Sequence, residues 1–130
     1  MTRVVVSGLG IVSPYGAGVK TFWAGLASGE CAIRPLTVFD TTGFRSRIAA
    51  EVPGEVVGAL GASRRRSRAD RLALAAAREA LADAELARRD RTDMALFVGA
   101  VGGGMLEGEA WYAYKQVATD LGVFFTTAVA

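Results

Sequence analysis

The stretch that most restricts how this chain can fold runs from Leu72 to Arg89, an alanine-rich helix whose start is written into the residues before it. Ser67 followed by Asp70 has the form of a capping box, in which each side chain takes the other's backbone N–H. Leu74, Ala77, Leu81 and Ala84 then recur at helical spacing on one face, and Glu85 precedes Arg89 by one turn in the favourable acid-to-base order. So many small side chains offer little depth for interlocking with another helix. They do let a flat layer approach closely, and the expected neighbour is a β-sheet.

The segments on either side have the character of that sheet. From Arg3 to Val12 β-branched side chains alternate with small ones and break at Ser13-Pro14-Tyr15-Gly16, the pattern of a buried central strand running into a turn. Val19, Phe22, Trp23 and Leu26 fall at helical spacing, and Gly29 stands where a left-handed cap would end that helix. Between Glu30 and Ser63 the periodicity weakens under Pro35, Gly43, Pro53, Gly54, Gly58 and Gly61, so loops are expected there, with one short strand over Arg47 to Val52. A second buried strand is expected at Met94-Ala95-Leu96-Phe97-Val98, leading through the glycine loop Gly99 to Gly104 into a helix that starts near Met105 and passes Trp111 and Tyr114. Strand, helix, loop, helix, strand, glycine loop, helix is an α/β order with right-handed crossovers. The last residues, Thr126-Thr127-Ala128-Val129-Ala130, bring neither a cap nor a polar tail and read as a cut end.

Composition removes several functions. A chain that is 52% hydrophobic and 22% charged belongs with globular proteins rather than disordered ones. Cys31 is the sole cysteine, which excludes an internal disulfide and a cysteine-based zinc site, and no histidine is present, so any reaction that relies on imidazole is closed to these residues alone. No cofactor is called for. The apolar run Val4-Val5-Val6 is too short for a secretory signal or a membrane span, and the cytoplasm is the expected compartment, without membrane association. A net charge of +2 does not ask for nucleic acid as a partner. The distribution of that charge does need explaining, because Arg64, Arg65, Arg66, Arg68 and Arg71 crowd at a helix start, where positive charge opposes the helix dipole.

Two glycine motifs resemble nucleotide sites and fail on chemistry. A phosphate-binding loop needs Gly-Lys-Ser/Thr, whereas Gly104 is followed by Met105-Leu106-Glu107. In Gly8-Leu9-Gly10-Ile11-Val12-Ser13 a serine replaces the last glycine of the dinucleotide fingerprint and Pro14 interrupts the helix it requires. Glu107 and Glu109 lack the partners for a metal or glycosidase pair and read as a solvated face, and Trp111, Tyr112 and Tyr114 are given no role.

Taken in order, Arg3-Val4-Val5-Val6-Ser7-Gly8-Leu9-Gly10-Ile11-Val12-Ser13-Pro14, Phe22-Trp23 with Leu26, Ile33-Arg34-Pro35, Phe39-Asp40, Ser67-Arg68-Ala69-Asp70-Arg71 and Val98-Gly99 running into Gly102-Gly103-Gly104 resemble the first part of β-ketoacyl-acyl-carrier-protein synthases. The resemblance is clear over residues 1–111, and the whole of 1–130 is expected to be an incomplete N-terminal domain of that family. It implies a fragment of the thiolase-like layered α/β/α fold with open sheet edges, marginal unless another chain completes it. It also implies an acyltransferase that loads an acyl group on a cysteine thiolate and condenses it with a malonyl thioester that loses carbon dioxide, in fatty-acid or polyketide synthesis. The family nucleophile and histidines match no position here, so no residue of the chain is assigned a catalytic role, and Cys31 corresponds to a loop residue.

The same resemblance places Gly102, Gly103, Gly104 and Met105 at the edge of the acyl pocket, with close packing or a positive-φ turn as the alternative for these glycines. It makes Arg64, Arg65 and Arg68 the residues that dock an acidic acyl carrier protein, with a solvated helix entrance as the alternative. The full-length family member is expected to be a homodimer. A non-catalytic carrier-binding or dimer-contributing module, or an inactive gene remnant, is the other reading of the chain.

Overall fold

The computed structural model describes residues 3–62, 66–86, 94–105 and 108–112. The chain divides into two compact units, Met1–Phe97 and Val98–Ala130. In the first, strands β1 (Val12–Ser13) and β2 (Gly16–Ala17) are followed by helix α1 (Val19–Ser28), strands β3 (Arg34–Pro35) and β4 (Ile48–Ala49), and helices α2 (Gly54–Ala59) and α3 (Arg68–Asp83). Both sheets are two-stranded and antiparallel, with Val12 opposite Ala17 and Ser13 opposite Gly16 in one, and Arg34 opposite Ala49 and Pro35 opposite Ile48 in the other.

The turn expected at Ser13 to Gly16 forms as the two-residue connection of the β1–β2 hairpin. Ser13, the one buried polar residue among those described, donates its hydroxyl to the Gly16 carbonyl at 3.2 Å and accepts the Tyr15 N–H at 3.2 Å, so the tip is closed from within. Gly16 takes φ 129°, a value that L side chains rarely adopt. From this tip the Tyr15 ring lies so close to α1 that a Cβ at Gly25 would collide with it, and the ring meets Phe22 edge-on at 6.2 Å. Its hydroxyl donates to the Glu30 carbonyl at 2.7 Å, beyond the helix end. Gly29 is the left-handed cap the sequence predicts, at φ 72° with its N–H on the Leu26 carbonyl.

Helix α3 begins with the predicted capping box: Ser67 accepts the Asp70 N–H at 3.0 Å, and Asp70 accepts the Ser67 N–H at 2.9 Å. The helix opens at Arg68, before the expected Leu72, and its last helical residue is Asp83; Glu85 beyond it sits at φ 53°. Arg89, the expected partner of Glu85, lies outside the described residues.

The face of α3 that meets residues 8–11 shares only Ala84 with the expected Leu74–Ala77–Leu81–Ala84. Leu74 and Ala77 are exposed, and it is Ala76, Glu79, Ala80, Asp83 and Ala84 that receive residues 8–11. Asp83 accepts the Leu9 N–H at 2.9 Å, and Glu79 accepts the N–H groups of Ile11 and Val19, both at 2.9 Å. The backbones come so close that a Cβ at Gly10 would overlap the Ala76 carbonyl oxygen and one at Gly8 that of Ala80. A periodicity argument that scores only apolar residues overlooks a contact made by carboxylates and glycines.

This contact also explains why the strand expected over Arg3–Val12 is reduced to Val12–Ser13. A strand needs neighbours for its backbone donors and acceptors. Among the described residues no strand lies beside residues 3–11, and two of their amides are taken by α3 carboxylates instead. Val4 is 94% exposed. The strand expected at Met94–Val98 is likewise absent, with Leu96 83% and Phe97 92% exposed and no pairing partner among the described residues. Between Glu30 and Ser63 the chain holds more structure than expected: the predicted strand appears as Ile48–Ala49, but β3 and α2 stand where loops were expected.

In the second unit, residues 105 and 108–112 are helical. Gly102 and Gly104 precede them at φ 65° and 73°, Gly102 accepts the Met105 N–H at 3.2 Å and Gly104 accepts the Gly108 N–H at 2.9 Å. The glycine loop therefore contains a positive-φ turn leading into a helix. Among the described residues no helix is long and apolar enough to cross a membrane.

Glycine substitutions separate close approach from simple propensity. Gly10→Ala is expected to lower stability in urea by about 1–3 kcal/mol, because α3 must move away. Gly58→Ala, in α2 with nothing near its Cβ position, is expected to raise stability by about 0.5–1 kcal/mol.

Candidate functional site

Antiparallel pairing of β3 with β4 sets Arg34 opposite Ala49 and Pro35 opposite Ile48, and α2 then turns the chain toward the start of α3. The fold leaves between them a cleft of about 410 Å³. Pro14, Pro35, Val38, Val52, Pro53 and Val57 give it an apolar lining, and Arg34, Thr37, Glu51, Glu55 and Arg68 supply its polar groups.

Glu51 organises one wall. Its carboxylate accepts the Thr37 hydroxyl at 2.8 Å, the Thr37 N–H at 3.1 and 3.2 Å to its two oxygens, and the Val38 N–H at 3.1 Å. The Thr37 hydroxyl and N–H together hold the Glu51 carboxyl below its usual range, with smaller help from the Val38 N–H and the positive charge of Arg68. Asp40, in the same β3–β4 connection, is lowered in the same way by the N–H and hydroxyl of Thr42, which it accepts at 2.9 and 2.8 Å. Arg34 forms an exposed ion pair with Glu30 at 2.6 Å.

The arginine run separates into different fates. Arg64 and Arg65 lie outside the described residues. Arg66 is exposed, and Arg71 donates to the Gly61 carbonyl at 2.6 Å, tying the α2–α3 connection to α3. Arg68, at the first position of α3, is half-buried and lines the cleft. Gly102, Gly103, Gly104 and Met105 belong to the second unit, where Met105 is exposed. Cys31 is exposed, with its thiol 4.0 Å from the Ile33 carbonyl, consistent with a loop position.

Sequence reasoning missed Thr37 and Glu51, which come together only when the β3–β4 pairing forms. The α2 helix beside them did leave a signal in Pro53-Gly54-Glu55, a proline at the cap followed by an acidic residue in the first turn. Among the described residues no cluster of His, Cys, Asp and Glu is suited to a metal ion.

The family model for the beta-ketoacyl synthase N-terminal domain matches residues 1–129, and the chain belongs to that family. It is 47% identical over 88 residues to the granaticin polyketide beta-ketoacyl synthase 1 of Streptomyces violaceoruber, a match covering 65% of this chain and 21% of the relative. It is 48% identical over 50 residues to the 3-oxoacyl-[acyl-carrier-protein] synthase 2 of Coxiella burnetii, covering 38% of this chain and 12% of the relative. The solved structure of the ishigamide ketosynthase/chain length factor superposes with a TM-score of 0.75 at 34% identity, over 90% of this chain and 30% of that one. The described elements are thus a portion of the thiolase-like α/β fold. The chain spans about a fifth of the length of the first curated relatives it matches.

The lowered pKa of Glu51 has a stability consequence of definite sign. Its contribution to stability is fully present above the unfolded carboxyl value and is lost as pH falls through the lower folded one. The Thr37 and Val38 amide resonances are therefore expected to titrate together below the usual glutamate range, and Thr37→Val should move that midpoint upward, as read by NMR.

Proposed function

We propose that this chain is part of a decarboxylating acyltransferase of polyketide or fatty-acid synthesis, and that its own contribution is to bind the acyl carrier protein and border the acyl pocket. The continuous match to the synthase N-terminal domain over residues 1–129 carries this reading. In the whole protein an acyl group passes from the carrier thioester to a cysteine thiolate, releasing the carrier thiol. The malonyl thioester then loses carbon dioxide, and the resulting carbanion attacks the acyl-enzyme carbonyl, forming the carbon–carbon bond and expelling the cysteine thiolate. Histidine assists these steps, and since the chain contains none, the condensation is assigned to the whole protein and not to residues 1–130.

In this reading residues 1–130 are an incomplete N-terminal domain. The exposure of Val4, Val5, Val6, Leu96, Phe97 and Val98 supports it, since these are β-prone segments with apolar surface to bury. Gly102 to Met105 form the pocket edge, a role supported by the bare backbone of a glycine turn, which an acyl chain can approach. Arg64, Arg65 and Arg68 form the carrier-docking patch, supported by the position of Arg68 on an open cleft. The proposed assembly is a dimer, and the ketosynthase/chain length factor structure supports association with a second synthase-type chain.

A non-catalytic carrier-binding module is the second reading, favoured by the exposed loop setting of the sole cysteine. One set of measurements distinguishes the two. The whole protein, given acyl- and malonyl-carrier protein, is expected to release carbon dioxide and a β-ketoacyl thioester, detected by mass spectrometry; binding without turnover would favour the module. In either case, charge reversal at Arg64, Arg65 and Arg68 to glutamate should abolish salt-sensitive carrier binding, and unchanged affinity would refute the docking patch.

A further inference from the structure

We propose that Glu51 sets the strength of carrier docking by competing with the carrier's carboxylates for Arg68. This inference rests on the docking reading above and deepens it. Both residues line the same cleft, Arg68 from the first position of α3 and Glu51 from the chain just after β4. Glu51 cannot easily swing away, because Thr37 and Val38 donate to it from the opposite strand connection.

The chemistry of Arg68 makes a resident carboxylate consequential. Its guanidinium is attached at the positive end of a helix of 16 residues, where the dipole disfavours a cation. Asp70 is engaged in the capping box with the Ser67 N–H, and Glu51 is an anion held on the cleft wall by Thr37 and Val38. The charge of Arg68 is felt at the Glu51 carboxyl, behind the larger influence of the Thr37 hydrogen bonds. An incoming acidic carrier therefore meets an arginine whose field is already partly compensated, and docking is weaker than the arginine run alone would make it. The remaining charged groups of the cleft are Arg34, paired with Glu30, and Glu55 in the first turn of α2.

The test uses the full chain and a fluorescently labelled holo acyl carrier protein, with affinity read by anisotropy at low and moderate salt. Glu51→Gln is expected to tighten binding about threefold to fivefold at low salt, and the gain should shrink as salt screens the charges. In an Arg68→Ala background the same substitution should produce no gain. Glu51→Ala, which removes the hydrogen bonds as well as the charge, should tighten binding in the same Arg68-dependent way; weaker binding would mean that Glu51 serves docking by shaping the Thr37–Val38 wall, and would overturn the proposal. An unchanged affinity in Glu51→Gln, or a gain that survives Arg68→Ala, would also overturn it while leaving the docking patch standing. Salt-insensitive binding of the unsubstituted chain would instead show that the docking reading itself has failed.

Discussion

Two carboxylates on one helix, donating nothing and accepting backbone N–H groups from elsewhere, hold the first unit together. Glu79 and Asp83 are one turn apart on α3, and between them they accept the amides of Leu9, Ile11 and Val19. Hydrogen bonds to a charged acceptor are worth about 1.5–3 kcal/mol each, more than neutral ones, and those made by Glu79 are partly buried. Helix α1 depends on the same group. Its cap is Gly18, which has no side chain to offer, so Glu79 accepts the Val19 N–H and places negative charge at the positive end of α1.

That arrangement works only because Gly8 and Gly10 have no Cβ. Carboxylate side chains reach a short distance from the helix axis, so the segment they grip must lie almost on the α3 backbone. The alanines at 76, 80 and 84 and the two glycines make that approach possible from both sides. Position then propagates along the chain. With residues 8–11 placed, the Ser13-closed hairpin and Tyr15 place α1, and the capping box at Ser67 fixes where α3 starts and hence where Arg68 emerges into the cleft.

The cleft combines opposite charges in a way that composition conceals. A net charge of +2 spreads over the whole chain, but Arg34 and Arg68 stand in one concave surface with Glu51 and Glu55. Glu51 is bound by three donors of the Thr37–Val38 segment, so it is both part of the wall and part of the electrostatic environment. A surface of this kind responds to salt and to charge reversal more sharply than to changes in apolar area.

Local chemistry alone determined much of this protein. The capping box at Ser67 and Asp70, the left-handed cap at Gly29 and the turn at Ser13–Gly16 follow from neighbours in sequence, since each hydrogen bond closes within a few residues. The order of motifs was also enough to identify the family. Tertiary structure decided the rest, because the partners lie far apart in sequence: Glu79 is 60 residues from Val19 and 68 from Ile11, and Glu51 is 14 from Thr37. Which face of α3 is covered, and which segments pair as strands, depends on what stands opposite, and periodicity cannot supply that. The alternation in Arg3–Val12 records a capacity to form a strand, but a ladder exists only where a second backbone meets it, and here α3 carboxylates take two of those amides.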